Sequence, residues 1–243
     1  MTLSEAFWKI HTDLPRQAPG SDHTTLHLFE LAGNPAGCAL DIGCGQGRAS
    51  LLLAKAGMTV VATDTHQPFL EELESTAKAE SLSEKITTRN ISMDALDYPA
   101  ESFDLLWAEG SAYILGWEKA IRTWRPLIKP GGILVATECW WLVDPPSEEA
   151  KQFWAEGYPT MLSAKAAADV AVRHGYSVVA TYTLPASDWF DEYYNSIKSN
   201  HARLAVDADA PMKQAILYGR KEIELYEKHG DEYGYVGFVL SKN

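Results

Sequence analysis

Four residues at alternate positions carry the first chemical signal: Asp41, Gly43, Gly45 and Gly47, in Asp41-Ile42-Gly43-Cys44-Gly45-Gln46-Gly47-Arg48. An apolar run ends at the acid, the glycines follow, and a helical pattern opens behind them. A strand breaking into such a turn lets a ligand approach bare backbone, with N–H groups and a helix N-terminus nearby. A dinucleotide loop wants G-x-G-x-x-G, whose third glycine lets the helix pack close on the strand. Arg48 occupies that third position, and the extra glycine falls one residue early, at Gly47. The Asp41 carboxylate would repel a pyrophosphate. It suits a ligand bearing an ammonium group.

Further stretches follow in order. Val60-Val61-Ala62-Thr63-Asp64 is an apolar run ending in a second acid, and Met93-Asp94-Ala95 sets a loop acid between two apolar residues. Ser102-Phe103-Asp104-Leu105-Leu106-Trp107 reads as another strand, and Leu127-Ile128-Lys129-Pro130-Gly131-Gly132 as the turn before the next. Together with the glycine loop, these segments resemble the ordered motifs of class I S-adenosylmethionine (SAM)-dependent methyltransferases, of the bacterial small-molecule type, across about residues 36–138. The resemblance implies a Rossmann-like, doubly wound α/β fold: a mostly parallel seven-stranded sheet, its last strand antiparallel, with helices on both faces. It also implies roles. Asp41 would hold the methionine ammonium, and the backbone of Gly43, Cys44, Gly45 and Gly47 would let the methionine lie close. Asp64 would take the ribose diol, two hydroxyls matching two carboxylate oxygens. Asp94 would accept from the adenine amino group, with Met93 and Ala95 packing on the ring. Arg16-Gln17-Ala18-Pro19-Gly20-Ser21 resembles an N-terminal segment that folds over the cofactor, so that Arg16 would meet its carboxylate as a fork.

The acceptor side is less sharply marked. Glu109 and Tyr113, just past the strand at 103–107, stand where this family commonly faces the methyl group. Glu109 would orient an amine or act as a base if burial raised its pKa, or else contact the cofactor. Tyr113 would donate a hydrogen bond or line the methyl path. Trp140 and Trp141 follow the fifth strand, and one of them would stack on a planar acceptor or attract a cationic one; packing is the other reading. His11, His23 and His66 are candidate bases, but scattered singly they read as surface or cofactor-loop residues. No metal-ligand spacing and no nucleophile elbow is present.

Composition agrees with a globular enzyme. The 243 residues are 46% hydrophobic and 11% aromatic, enough for a sizeable core in one α/β domain. Twenty-one basic against 33 acidic side chains leave a net charge of −12, a field that disfavours nucleic acid and anionic membranes. Cys38, Cys44 and Cys139 lack disulfide or metal spacing, and Cys44 has no basic activator nearby in sequence. No segment has signal-peptide or bilayer-spanning character, so a cytoplasmic protein is expected.

The elements that must position these residues alternate along the chain. Strands are predicted at 38–42, 59–63, 86–89, 103–107, 133–138, 177–183 and 235–240. Helices are predicted from Ser21 or Asp22 to Leu31, from the glycine loop to Gly57, from near Pro68, and over 164–174. Trp117, Ala120, Ile121, Trp124 and Leu127 recur at helical spacing and are assigned to the core. Two insertions depart from the alternation, at about 140–161 and 184–232. Both are expected to be lid-like, the first because it leaves the C-terminal end of a central strand. In the second, Asp209 and Pro211 open a helix closed by Gly230, whose stripe Met212, Ile216, Gly219, Ile223 and Tyr226 would pack on the domain.

The expected function is SAM-dependent methyl transfer to a small-molecule acceptor. A non-enzymatic SAM-binding module is the alternative, and an NAD-dependent oxidoreductase is disfavoured by Arg48 and Asp41.

Overall fold

The computed structural model describes residues 1–243. Its elements in chain order are α1 (Leu3–Ile10), α2 (Asp22–Leu31), β1 (Cys38–Ile42), α3 (Arg48–Lys55), β2 (Thr59–Asp64), α4 (Gln67–Ala79), β3 (Ile86–Asn90) and β4 (Phe103–Glu109), then α5 (Trp117–Trp124), β5 (Ile128–Trp141), α6 (Glu148–Gly157), α7 (Ala164–Arg173), β6 (Tyr176–Thr183), α8 (Ala186–Trp189), α9 (Asn195–Leu204), α10 (Ala210–His229) and β7 (Tyr233–Lys242).

The strands form one sheet in the order β3-β2-β1-β4-β5-β7-β6. Neighbours from β3 to β5 are parallel, while β7 runs antiparallel to both β5 and β6. The sheet is therefore mixed. Two-residue alternation sorts the side chains onto its two faces. Leu40, Ile42, Leu106, Ala108, Leu134 and Ala136 share a core with α5 and α7. Ala39, Leu105, Trp107 and Val135 share another with α2, α3 and α4. Trp117 and Trp124 are buried as expected, and their indole N–H groups donate to the carbonyls of Ala167 (2.9 Å) and Met93 (3.0 Å).

A third core was hidden from the sequence. It joins α1, α6, α9 and α10 with Tyr158, Met161, Trp189 and Tyr233. Met212, Ile216, Ile223 and Tyr226 of the α10 stripe are buried there, and Gly219 faces the ring of His201. The expected lid at 140–161 is corrected: β5 continues through Trp141, α6 packs on α10, and Tyr158 and Met161 are buried in this core.

Candidate functional site

The sheet order reverses between β1 and β4, so the loops leaving their C-terminal ends part and open a crevice. A cavity of about 480 Å³ lies there, lined by Asp41, Gly43, Cys44, Gly45, Asp64, Met93, Glu109 and Tyr113, with Arg16 and residues of α1 on its other side.

Its floor is the glycine loop. Gly43 and Cys44 donate their amides to the Thr63 carbonyl at 2.8 and 2.9 Å, and Gly45 donates to the Asp64 carboxylate at 2.9 Å. These amides tie the loop to β2 instead of pointing freely at a ligand. Gly43 adopts φ +70°, and a Cβ there would stand 2.7 Å from the Cβ of Ser111, which itself bonds the Ile42 carbonyl. Gly47, at φ +78°, has the Leu73 side chain against it. Both positions require glycine.

Asp41 is 2% exposed and accepts from the Ser50 hydroxyl at 2.6 Å. Burial pushes its carboxyl up to about 7, against the Ser50 bond, and the charges of Glu109 and Asp64 add to the rise. A buried acid in this state gains from a cation brought beside it. Asp64 accepts the Gly45 amide on one oxygen and the His66 amide, at 2.8 Å, on the other. Each oxygen keeps a lone pair for a diol.

Arg16 is not a surface residue. It is 6% exposed and forks onto Asp22 (2.8 Å), Glu109 (3.0 Å) and Glu192 (3.3 Å). Glu109 is held in turn by Thr25 (2.7 Å) and the Trp107 indole (3.0 Å). Three donors on one carboxylate leave little of it for proton abstraction, so the general-base expectation for Glu109 gives way to a positioning one.

Other expectations shift. Met93 lines the cavity, beside Ile91 and Ser92, but Asp94 and Ala95 do not; Asp94 is exposed and accepts from Ser92 at 2.6 Å. The acceptor role of Trp140 and Trp141 is corrected. Trp140 is fully buried between Trp117 and Phe238, and Trp141 packs edge-on against Tyr233. Cys44 lines the cavity, yet burial pushes its thiol far up, as an unreactive cysteine requires.

Apart from Tyr113, expected on the methyl path, the roof comes from residues read as surface or loop or not singled out at all. Phe7, Trp8 and His11 of the N-terminal segment, His66 and Phe69 of the α4 region, and Tyr113 with Ile114 complete the walls. Trp8 stacks on His66 with centroids 5.7 Å apart and planes at 3°. A capping box, Thr2 with Glu5, starts α1 and was visible in the sequence as T-x-x-E. Glu138 was also missed: 1% exposed, it accepts the Tyr113 amide at 3.1 Å, fixing the turn at Ala112–Ile114, and burial pushes its carboxyl up to about 8.

Comparison with known proteins agrees with this geometry. A family model described as a methyltransferase domain matches residues 40–136. Methyltransferase GfsG of Streptomyces halstedii is 25% identical over 162 residues, 65% of this chain and 58% of that protein. Its match with this chain thus spans less than two thirds of its length. The malonyl-[acyl-carrier protein] O-methyltransferase of Salmonella typhimurium is 24% identical over 203 residues, 81% of this chain and 76% of that one. In fold, a SAM-dependent methyltransferase from Thiobacillus denitrificans, solved with S-adenosyl-L-homocysteine, superposes with a TM-score of 0.82 at 21% identity, covering 100% of both chains. The glycine loop ending in Gly47, the acid closing β2 and the matched domain agree: residues 40–136 carry a methyltransferase domain, and the whole chain shares the fold of SAM-dependent methyltransferases.

Proposed function

We propose that this chain transfers the methyl group of SAM to a small-molecule acceptor. One observation carries the reading: Asp41, the Gly43–Gly47 loop and Asp64 converge on one crevice, with Gly43 kept bare where any Cβ would meet Ser111. When bound, SAM supplies the activation, since its sulfonium is the leaving group. The protein's work is alignment and exclusion of water. Asp41 would hold the ammonium and Asp64 the ribose diol, and Ile91, Ser92 and Met93 would flank the adenine. Arg16 and Glu109 form a part-buried charge pair that would lie beside the methionine end.

The net charge of −12 supports an acceptor other than nucleic acid, and no helix is long and apolar enough to cross a membrane. We read the chain as one domain working in the cytoplasm. A thermal-shift series tests the cofactor half: SAM and S-adenosylhomocysteine should raise the melting temperature and NAD should not. Mass spectrometry of a metabolite pool incubated with SAM tests the transfer half. No shift with saturating SAM would overturn the reading.

A further inference from the structure

Once the ammonium, ribose and adenine contacts are assigned, the cavity wall left over includes Phe7, His11, Tyr113 and Ile114, beside Trp8, His66 and Phe69. Phe7, Tyr113 and Ile114 are bulky apolar or aromatic side chains, about half exposed: Phe7 50%, Tyr113 47% and Ile114 62%. His11 is a buried imidazole. His11 closes α1, is 8% exposed, and places Nδ1 at 2.9 Å from the Phe7 carbonyl. A carbonyl only accepts, so Nδ1 carries the proton and Nε2 of the neutral ring carries a lone pair. Burial lowers the pKa of His11, outweighing the Phe7 bond, and so keeps the ring neutral at neutral pH. The hydrogen-bond partner of Nε2 is the Tyr193 hydroxyl, at a loose 3.5 Å that a closer donor can displace.

The charges around the cavity narrow the acceptor. Its acids, Asp41, Asp64 and Glu109, all sit on the strand-end side already given to the cofactor. Its only arginines, Arg16 and Arg48, are each tied to carboxylates. The leftover wall therefore offers neither an anion for an ammonium acceptor nor a cation for a carboxylate. It offers aromatic faces and two imidazoles, the exposed His66 and the buried His11.

Resting on the methyl-transfer reading above, we propose that the acceptor is a neutral planar molecule bearing a hydroxyl, of the phenol or enol class, and that His11 is the catalytic residue that takes its proton. The acceptor oxygen forms the O–CH₃ bond as the S–CH₃ bond breaks, with that electron pair passing to sulfur. The hydroxyl proton goes to Nε2 of His11 and then to solvent. Hydroxyl and sulfonium thus give methyl ether, neutral thioether and one proton.

The test uses two probes with the full-length protein. A simple phenol such as 4-methylphenol titrates near tyrosine, at about 10, and needs a base at neutral pH. 4-Nitrophenol is largely ionised in mildly alkaline buffer and does not. His11→Gln should slow transfer to 4-methylphenol by about a hundredfold or more, within the usual range for a general base. Transfer to 4-nitrophenol should fall much less. A merely structural His11 would slow both equally, which would overturn the proposal. A second readout needs no turnover. In the S-adenosylhomocysteine complex of nitrogen-labelled protein, adding 4-methylphenol should move the His11 Nε2 resonance toward the hydrogen-bonded range, and an unmoved resonance counts against the role. S-adenosylhomocysteine binding by calorimetry separates the two levels. If binding is intact in parent and variant but no phenol is methylated, the acceptor class is wrong and the cofactor reading stands. If binding itself is absent, the methyltransferase reading has failed.

Discussion

Arg16 and Glu109 meet at 3.0 Å across 93 residues of chain, and this contact ties the N-terminal segment to the end of β4 at the crevice. With Asp22, Glu192 and Arg48 the pair makes a charge cluster that closes one end of the cavity. The cluster ties α2 and the segment before α9 to the same spot as the glycine loop. It explains why an arginine can be buried so near the surface of a domain.

Removing that guanidinium should be felt in stability and in binding. Arg16→Ala leaves three acids facing one another. The loss should stay below the about 3–5 kcal/mol of a fully buried pair, because the partners keep 19–45% of their side chains exposed. Arg16→Lys should not restore the parent, since a single ammonium cannot reproduce the fork. Urea denaturation and S-adenosylhomocysteine calorimetry on both variants measure this, and a lysine variant equal to the parent in both would contradict it.

Asp64 should matter mostly through the diol. Asp64→Ala should weaken SAM binding by about 2–4 kcal/mol, and Asp64→Asn by less, because one acceptor oxygen remains. The Gly45 and His66 amides also lose their partner in the alanine variant, so part of its loss will appear as lower stability of the free protein. Unchanged SAM affinity in Asp64→Ala would remove the ribose from this site.

Asp41 predicts a pH dependence. Its folded-state pKa, about 7, lies above the ordinary 3.8, so the free folded protein holds a proton that the unfolded chain has released. This group therefore lowers stability as pH rises from about 4 to about 7. A ligand ammonium favours the carboxylate, so affinity for S-adenosylhomocysteine should rise between pH ~6 and ~8, the window in which Asp41 gives up its proton. Calorimetry across that range checks the sign. Asp41→Asn should flatten the profile as well as weaken binding, and a slope that survives in Asp41→Asn would assign the titration elsewhere.

Trp140 should behave as core and not as a binding residue. Trp140→Ala should cost about 3–5 kcal/mol in unfolding free energy. Trp140→Phe should change stability much less, because the indole N–H has no partner to lose. A Trp140→Phe variant with parental stability but a raised acceptor KM would return this residue to the acceptor pocket.

The cofactor half of the site was legible because its signals are local. Asp41, the alternating glycines and Asp64 each sit at a strand end, where a carboxylate or a bare backbone has few other uses. The acceptor half was not, for two physical reasons. β5 runs to Trp141, three residues beyond the predicted strand end, so the parity that buries Leu134 and Ala136 carries on to Trp140. The lid comes from α1, an eight-residue helix with only Ala6 and Ile10 buried, too few to show a stripe. Its capping box was present, but nothing local says that such a helix crosses to α9 and α10 and presents His11 to a crevice formed by residues 30 to 100 positions away.

A crystal structure with S-adenosylhomocysteine bound tests the central claim most directly. The account predicts the ribose hydroxyls on Asp64, the amino group beside Asp41, and the sulfur facing the wall of Phe7, His11, Tyr113 and Ile114. A ligand bound with its ribose away from Asp64, or with its sulfur turned from that wall, would contradict it.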